Sequence, residues 1–146
     1  MSVIDKKWQI YLGGKMSGLS YDEMNSWRID AKEKIEKMAE LTGYKCNVFN
    51  PCDYYNFEQK MQQSEEEVMD YDLFHVEHSD FLIVNAEGLS TSSGTQIEIY
   101  DAWINKIPVL VFGSYDNKHP WIKRGITRFE PDIEHVINYL KDFYFI

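Results

Sequence analysis

The chain has 146 residues, 44% of them hydrophobic and 15% aromatic, which is the length of one ordinary domain (1–146) with material for a continuous core. A formal net charge of -9 excludes sequence-independent nucleic-acid binding, which depends on Lys and Arg neutralising phosphates, while a small anionic ligand remains compatible with a favourable local field. No apolar run approaches the length that spans a bilayer, Met1 to Lys7 lacks a signal-type apolar stretch, and Cys46 and Cys52 do not make a disulfide framework; the expectation is a cytoplasmic protein with reduced thiols and no membrane partner.

In chain order, Trp8 to Leu12 reads as a short apolar strand that ends in Gly13-Gly14-Lys15-Met16-Ser17-Gly18. A helical pattern begins near Ser20 or Asp22. Met24, Trp27, Ala31, Ile35, Met38 and Leu41 recur along it at three- and four-residue steps, Lys32, Lys34, Glu36 and Lys37 are left to water, and Gly43 ends it. Tyr44 to Phe49 is a second strand, broken by Asn50-Pro51. Cys52 to Gln63, with Tyr54, Tyr55 and Phe57, is polar and aromatic without a period and reads as an ordered loop or lid. Glu65 to His78 is helical by composition, Phe81 to Val84 a buried strand, Thr95 to Asn105 a helix, Pro108 to Phe112 a strand and Asp132 to Phe143 a last helix. Short apolar strands alternating with helices imply an α/β fold: an open, mainly parallel sheet with helices on both faces and right-handed crossovers.

Ligands of such sheets bind outside the carboxyl ends of the strands, where the strand order reverses. Both the Gly13-Gly14 loop and the Ser92-Ser93-Gly94 loop fall at carboxyl ends. In Ser90-Thr91-Ser92-Ser93-Gly94-Thr95-Gln96-Ile97-Glu98, small hydroxyl residues and a glycine leave backbone N–H groups approachable where a helix dipole favours anions, and Glu98 lies about one turn in. The same residues fit a capping role, since Thr95-x-x-Glu98 and Ser93-x-x-Gln96 both have the capping-box pattern. Gly13 to Gly18 lacks the Lys of a P-loop and is not G-x-G-x-x-G. His75 and His78 suggest no third ligand, so neither a metal nor another cofactor is expected.

Tyr11, Asp72-Leu73 ahead of Ser79-Asp80-Phe81-Leu82-Ile83-Val84, Gly94-Thr95-x-x-Glu98 with Ala102, and Pro108-Val109 together resemble the nucleoside 2-deoxyribosyltransferase superfamily over Ile10 to Val111. That group includes the 2'-deoxynucleoside 5'-phosphate N-hydrolases. The resemblance implies a flavodoxin-like (Rossmann-like) domain that cleaves the N-glycosidic bond of a 2'-deoxynucleoside or its 5'-monophosphate, with a free nucleobase or water as acceptor. It makes Glu98 the nucleophile on the anomeric carbon, Tyr11 the hydroxyl that orients it, and Asp72 the acid that protonates or hydrogen-bonds the departing base. Gly13, Gly14, Ser92, Ser93, Gly94 and Thr95 become substrate-binding residues. A carboxylate suits an oxocarbenium-like transition state, and the helix start is expected to keep Glu98 ionised. Read without the resemblance, Asp72 belongs to an acidic face with Glu65, Glu66, Glu67 and Asp70, and Tyr11 is equally a buried aromatic at a strand end.

Two departures from the family pattern bear on substrate and competence. Ser92 and Ser93 stand where the nucleoside transferases carry an acidic residue, which favours a 5'-phosphate; Tyr100 replaces a glycine two positions after Glu98, so that it either crowds the site or faces outward. Lys118, His119, Lys123 and Arg124 supply positive charge to a phosphate or form a solvated loop, and Tyr54, Tyr55 and Phe57 stack on the base or cover the sheet edge. The resemblance also implies a homodimer or larger homo-oligomer, against which Phe143-Tyr144-Phe145-Ile146 would be buried. Two rival readings remain: a nucleotide-sensing module without turnover, supported by Tyr100, and a glycohydrolase acting on a larger nucleotide such as NAD.

Overall fold

A computed structural model describes residues 7–54, 62–114 and 119–146. Strands β1 (Lys7–Gly13), β2 (Lys45–Phe49), β3 (Phe81–Asn85), β4 (Val109–Phe112) and β5 (Arg128–Glu130) pair in parallel in the order β2-β1-β3-β4-β5. Helices α1 (Tyr21–Thr42), α2 (Glu65–Glu77), α3 (Ser93–Ile104), α4 (Pro120–Arg124) and α5 (Ile133–Phe143) connect and cover them. This is the expected open parallel α/β sheet of flavodoxin-like order.

Side-chain alternation along the central strands sorts the core into two layers. Ile10, Leu12, Phe81 and Ile83 pack with Ala31, Ile35 and Met38 of α1 and with Val136 and Leu140 of α5. Tyr11, Leu82 and Val84 point the other way, onto Val76 of α2 and Ile99 and Ala102 of α3. Local chemistry fixes the helix ends. Ser20 and Glu23 form a reciprocal capping box at the start of α1, an arrangement whose cap is worth about 1 kcal/mol. Gly43 ends the helix in the left-handed conformation, its N–H reaching back to the Ala39 and Glu40 carbonyls.

Several expectations need correction. Leu41 is 78% exposed, because the buried stripe of α1 runs through Met24, Arg28, Ala31, Ile35, Met38 and Ala39 and Leu41 falls outside it. Helix α3 starts at Ser93 rather than Thr95, since Ser92 is the residue that caps it. The carboxyl-terminal tail is not an unpartnered aromatic patch: Phe145 is buried and stacks on Trp8 with ring centroids 5.1 Å apart, and the Tyr44 hydroxyl donates to the Ile146 carbonyl. Only Phe143 and Ile146 of the tail remain exposed. The short strand β5 and helix α4 had no readable periodicity. Of the segment expected to be a loop or lid, Pro51–Tyr54 forms a 3-10 turn. Tyr55 and Phe57, with the side chain of Tyr54, lie outside the described residues, as does Lys118.

Candidate active site

The chain leaves β1 toward β2 on one side, while β3 next to β1 leads to β4 on the other, so the crevice at a change of direction opens above the carboxyl ends of β1 and β3. Tyr11, fully buried near the end of β1, faces α3 because its neighbours Ile10 and Leu12 face α1. Its hydroxyl donates to Glu98 Oε2 at 2.6 Å. Burial, with the negative charges of Glu98 and Asp72, raises the Tyr11 phenol well above its ordinary range, which keeps it the donor in this bond.

Glu98 can face β1 because other residues cap its helix. The Ser92 hydroxyl accepts from the Thr95 N–H at 3.4 Å and lies 2.7 Å from the Thr95 hydroxyl, while Gln96 Nε2 turns back to donate to the Leu89 carbonyl at 2.9 Å. Neither of the two capping boxes suggested by the sequence is the one used. Ser92 is therefore a cap as well as a loop residue. Thr95 is buried, and Ser93 and Gly94 are exposed at the helix start.

Glu98 is half-buried, its carboxyl group lying between the Tyr11 hydroxyl and Gly13 at the carboxyl end of β1. Burial pushes its carboxyl up from the ordinary 4.5 to about 8, against the pull of the Tyr11 hydrogen bond; the Asp72 charge adds to the rise and the Arg28 guanidinium opposes it. The expectation that the helix start would keep Glu98 ionised is corrected here. Glu98 stands in the second turn of α3, past the reach of the dipole, and desolvation prevails. Asp72, half-buried on α2, is close enough for its charge to act on both Tyr11 and Glu98. The structure thus gathers Tyr11, Asp72 and Glu98 from β1, α2 and α3.

The Gly13-Gly14 pair forms the floor. A Cβ on Gly13 would stand 3.4 Å from Glu98 Oε1 and 3.2 Å from Leu82 Cδ1, and a Cβ on Gly14 would meet Trp27 at 2.7 Å and Arg28 Nη2 at 3.3 Å. Larger residues would displace these groups. Beside this floor, Lys15 reaches over Gly88 and donates from Nζ to Thr91 Oγ1 at 2.9 Å. Gly88 has φ +73°, and a Cβ there would lie 2.6 Å from Lys15 Cδ, so the bridge from one loop to the other depends on glycine. An ammonium group is thereby held at the loop that carries Ser92 and Ser93.

Other residues lie apart. Tyr100 is 60% exposed and turned away from Glu98, into an apolar groove with Trp103, Trp121, His119 and Arg124; it does not crowd the crevice. Lys123 and Arg124 belong to α4, where the Arg124 guanidinium sits 5.9 Å from the Trp103 ring centre. His75 and His78 stack on Phe49 and Phe74, each at 4.1 Å. Among the described residues no group of His, Cys, Asp and Glu could hold a metal ion, and both cysteines are free. Among those residues, too, no helix is long and apolar enough to cross a membrane.

Sequence reading missed three features. Lys15 stands in the Gly13 to Gly18 run with no spacing that links it to Thr91. Arg28 carries no sequence expectation, yet Met24, Arg28, Ala31 and Ile35 share one helical stripe, which is the available signal. Asp101, whose carboxyl burial and the Glu77 carboxyl raise to about 6, sets an acid of α3 near one of α2, a proximity invisible in one dimension.

No family model and no curated protein sequence matches the chain. Solved structures do. A conserved protein of Enterococcus faecalis V583 superposes with a TM-score of 0.73 at 16% identity, covering 94% of this chain and 99% of that one. The 2-deoxyribosyltransferase of Bacillus psychrosaccharolyticus gives 0.58 at 19% identity over 90% and 91%, and a CMP N-glycosidase of Clostridium botulinum gives 0.54 at 15% over 92% and 99%. The chain has the fold of a 2-deoxyribosyltransferase. A 3-dehydroquinate dehydratase-like protein of Bifidobacterium longum shares it at a TM-score of 0.52 and 9% identity, so chemistry has to be argued from the crevice rather than from the architecture.

Proposed function

We propose that the chain belongs to the nucleoside 2-deoxyribosyltransferase superfamily and cleaves the N-glycosidic bond of a 2'-deoxynucleoside or 2'-deoxynucleoside 5'-monophosphate through a deoxyribosyl-Glu98 intermediate. The observation that carries this reading is the 2.6 Å hydrogen bond from Tyr11 to the Glu98 carboxyl group at the strand ends, with a second carboxyl, Asp72, within electrostatic reach. Two structures of the same fold act in its favour, since they are a 2-deoxyribosyltransferase and a CMP N-glycosidase.

A Glu98 oxygen bonds to the anomeric carbon as the bond from that carbon to the base nitrogen breaks, and the electron pair leaves on the base, which takes a proton from Asp72. Water or another base then attacks the same carbon, the ester bond to Glu98 breaks, and Asp72 receives the proton of the attacking group. Two neighbouring carboxyl groups do not readily ionise together. A proton resident on Asp72 removes the charge that raises Glu98, while Tyr11 and Arg28 favour the negative charge on Glu98. Substrate protonation state and nucleophile ionisation are thus linked through a single proton.

Lys15 favours the 5'-monophosphate. Its ammonium is fixed at the rim by Thr91, beside the exposed Ser93 and Gly94 at the start of α3, which is the environment a phosphate requires. The test is product analysis by liquid chromatography after incubation with each 2'-deoxynucleoside and each 5'-monophosphate, with and without added base. The expected result is free base from monophosphates, or a new nucleoside with acceptor base, lost in Glu98→Ala; Lys15→Ala should raise KM for monophosphates about tenfold and leave nucleosides unaffected. Tight binding of an intact nucleotide without product, unchanged in Glu98→Ala, would contradict the enzyme reading and support a sensor. Release of nicotinamide from NAD would instead identify a glycohydrolase of larger nucleotides.

A further inference from the structure

Among the described residues Arg28 is the largest fully buried side chain, with 1% of its surface exposed, and no carboxylate of those residues forms an ion pair with it. Its partners are nearly all neutral. Nη2 donates to the Gly14 carbonyl at 2.9 Å, Nε to the Leu12 carbonyl at 3.5 Å, Nη1 to the Met24 carbonyl and, at 3.7 Å, to Cys52 Sγ; the guanidinium lies over the Trp27 ring at 4.6 Å. A buried cation solvated by carbonyls alone is costly, and an apolar side chain would fill the same place more cheaply. That cost calls for a function.

The place itself supplies one. Gly13 and Gly14 project to opposite faces of the sheet end: the Cβ position of Gly13 lies 3.4 Å from Glu98 Oε1, and that of Gly14 lies 3.3 Å from Arg28 Nη2. A carboxyl group and a guanidinium therefore approach the same dipeptide from its two sides, and only the missing side chains let both come so near. The chain's own backbone separates them, so they interact through space without a direct contact that would neutralise the nucleophile.

We propose that Arg28 is a positioning residue of the candidate site, which pins the Gly13-Gly14 floor through the Leu12 and Gly14 carbonyls and sets the ionisation of Glu98 from behind it. The proposal rests on the reading of Glu98 given above and extends it. By holding the Gly14 carbonyl toward α1, Arg28 also turns the Lys15 N–H of the same trans peptide the opposite way. The charged and titratable groups that face Glu98 are Tyr11 from β1, Asp72 from α2 and Arg28 from α1, and of these Arg28 alone is positive. Cys52, Glu98 and Tyr11 are the groups whose charges act on Arg28 in return.

The test is a direct titration of the Glu98 carboxyl by NMR in protein carrying side-chain-labelled glutamate, assigned with Glu98→Gln, in wild type, Arg28→Gln and Arg28→Lys. Arg28→Gln keeps a donor for the Gly14 carbonyl and removes the charge; the Glu98 midpoint should rise by about one unit or more, a tenfold weaker acid. In Arg28→Lys, whose point charge sits farther from the floor, a rise of the same sign and about half a unit is expected. A midpoint within about 0.2 unit of wild type in folded Arg28→Gln overturns the proposal, and if that variant does not fold, an unmoved or lowered midpoint in Arg28→Lys does so. In kinetics, the acid limb of the kcat profile should move with the midpoint, whereas a purely structural role would change stability and leave the limb in place. A shifted midpoint in a protein that releases no base would leave Arg28's role standing and sink the glycosidase reading. Base release with an unmoved midpoint would do the reverse.

Discussion

The two faces of the sheet solve the burial of polar groups in opposite ways. On the α1/α5 face the buried guanidinium of Arg28 is tied to three backbone carbonyls and a thiol, so it is held in one place. On the α2/α3 face the Glu98 carboxyl has one hydrogen-bond partner among the described residues, Tyr11, and a neighbouring carboxyl that repels it, and burial drives its ionisation up to about 8. One face spends its hydrogen bonds on rigidity, whereas the other leaves a desolvated acid with unused acceptor capacity facing a crevice. Groups of the second kind are the ones that can act on a ligand.

Four changes would break or sharpen that contrast. The largest effect is expected from Glu98→Ala, which should lower base release by at least about 10^3-fold while circular dichroism stays unchanged; a loss below tenfold would remove Glu98 from the chemistry. On the opposite face, Ile35→Ala should cost about 2–5 kcal/mol in chemical denaturation because Ile35 is fully buried against β1, while Leu41→Ala, at an exposed position, should stay within about 0.5 kcal/mol. Equal costs at the two positions would mean that the α1 stripe is misassigned. Tyr11→Phe deletes the bond that lowers the Glu98 pKa, so activity at neutral pH should fall about tenfold and recover as pH rises; a deficit that does not depend on pH would contradict a role through Glu98 ionisation and leave only an orienting one.

A further effect is on stability against pH. Because folding raises the Glu98 pKa from 4.5 to about 8, the folded state holds a proton that the unfolded state has lost between those values. Stability from this group is therefore fully present below about pH 4.5 and declines as pH rises to about 8. Glu98→Gln should flatten that part of the profile and be relatively more stable at alkaline pH, measured by urea denaturation across the range. An identical slope in both proteins would mean that the Glu98 carboxyl is well solvated.

The sequence disclosed the parts of this arrangement that depend on periodicity. Apolar runs at Ile10–Leu12 and Phe81–Val84 marked the inner strands, and the steps from Met24 to Met38 marked α1, because burial on one face leaves a regular trace. Strand β5 was not readable: it has three residues, Arg128 and Phe129 are exposed, and parallel pairing with β4 defines it. At the candidate site, Tyr11, Asp72 and Glu98 were nominated by resemblance and brought together by the fold. Their environment was not readable. The raised Glu98 pKa depends on enclosure by three elements, and the bridge from Lys15 to Thr91 joins residues 76 positions apart. Arg28 shows the same limit, since a charged residue on a buried stripe is discounted unless the backbone it will solvate is already known.

The central claim is that Glu98 becomes covalently bonded to the sugar. The most direct measurement is intact-protein mass spectrometry after reaction with a 2'-fluoro-substituted 2'-deoxynucleoside or its 5'-monophosphate, whose electron-withdrawing fluorine slows release from the enzyme, followed by peptide mapping. The account predicts one added sugar unit per chain, located on Glu98 and absent in Glu98→Gln. Base release from the unsubstituted substrate with no adduct, or with an adduct on another residue, would contradict it.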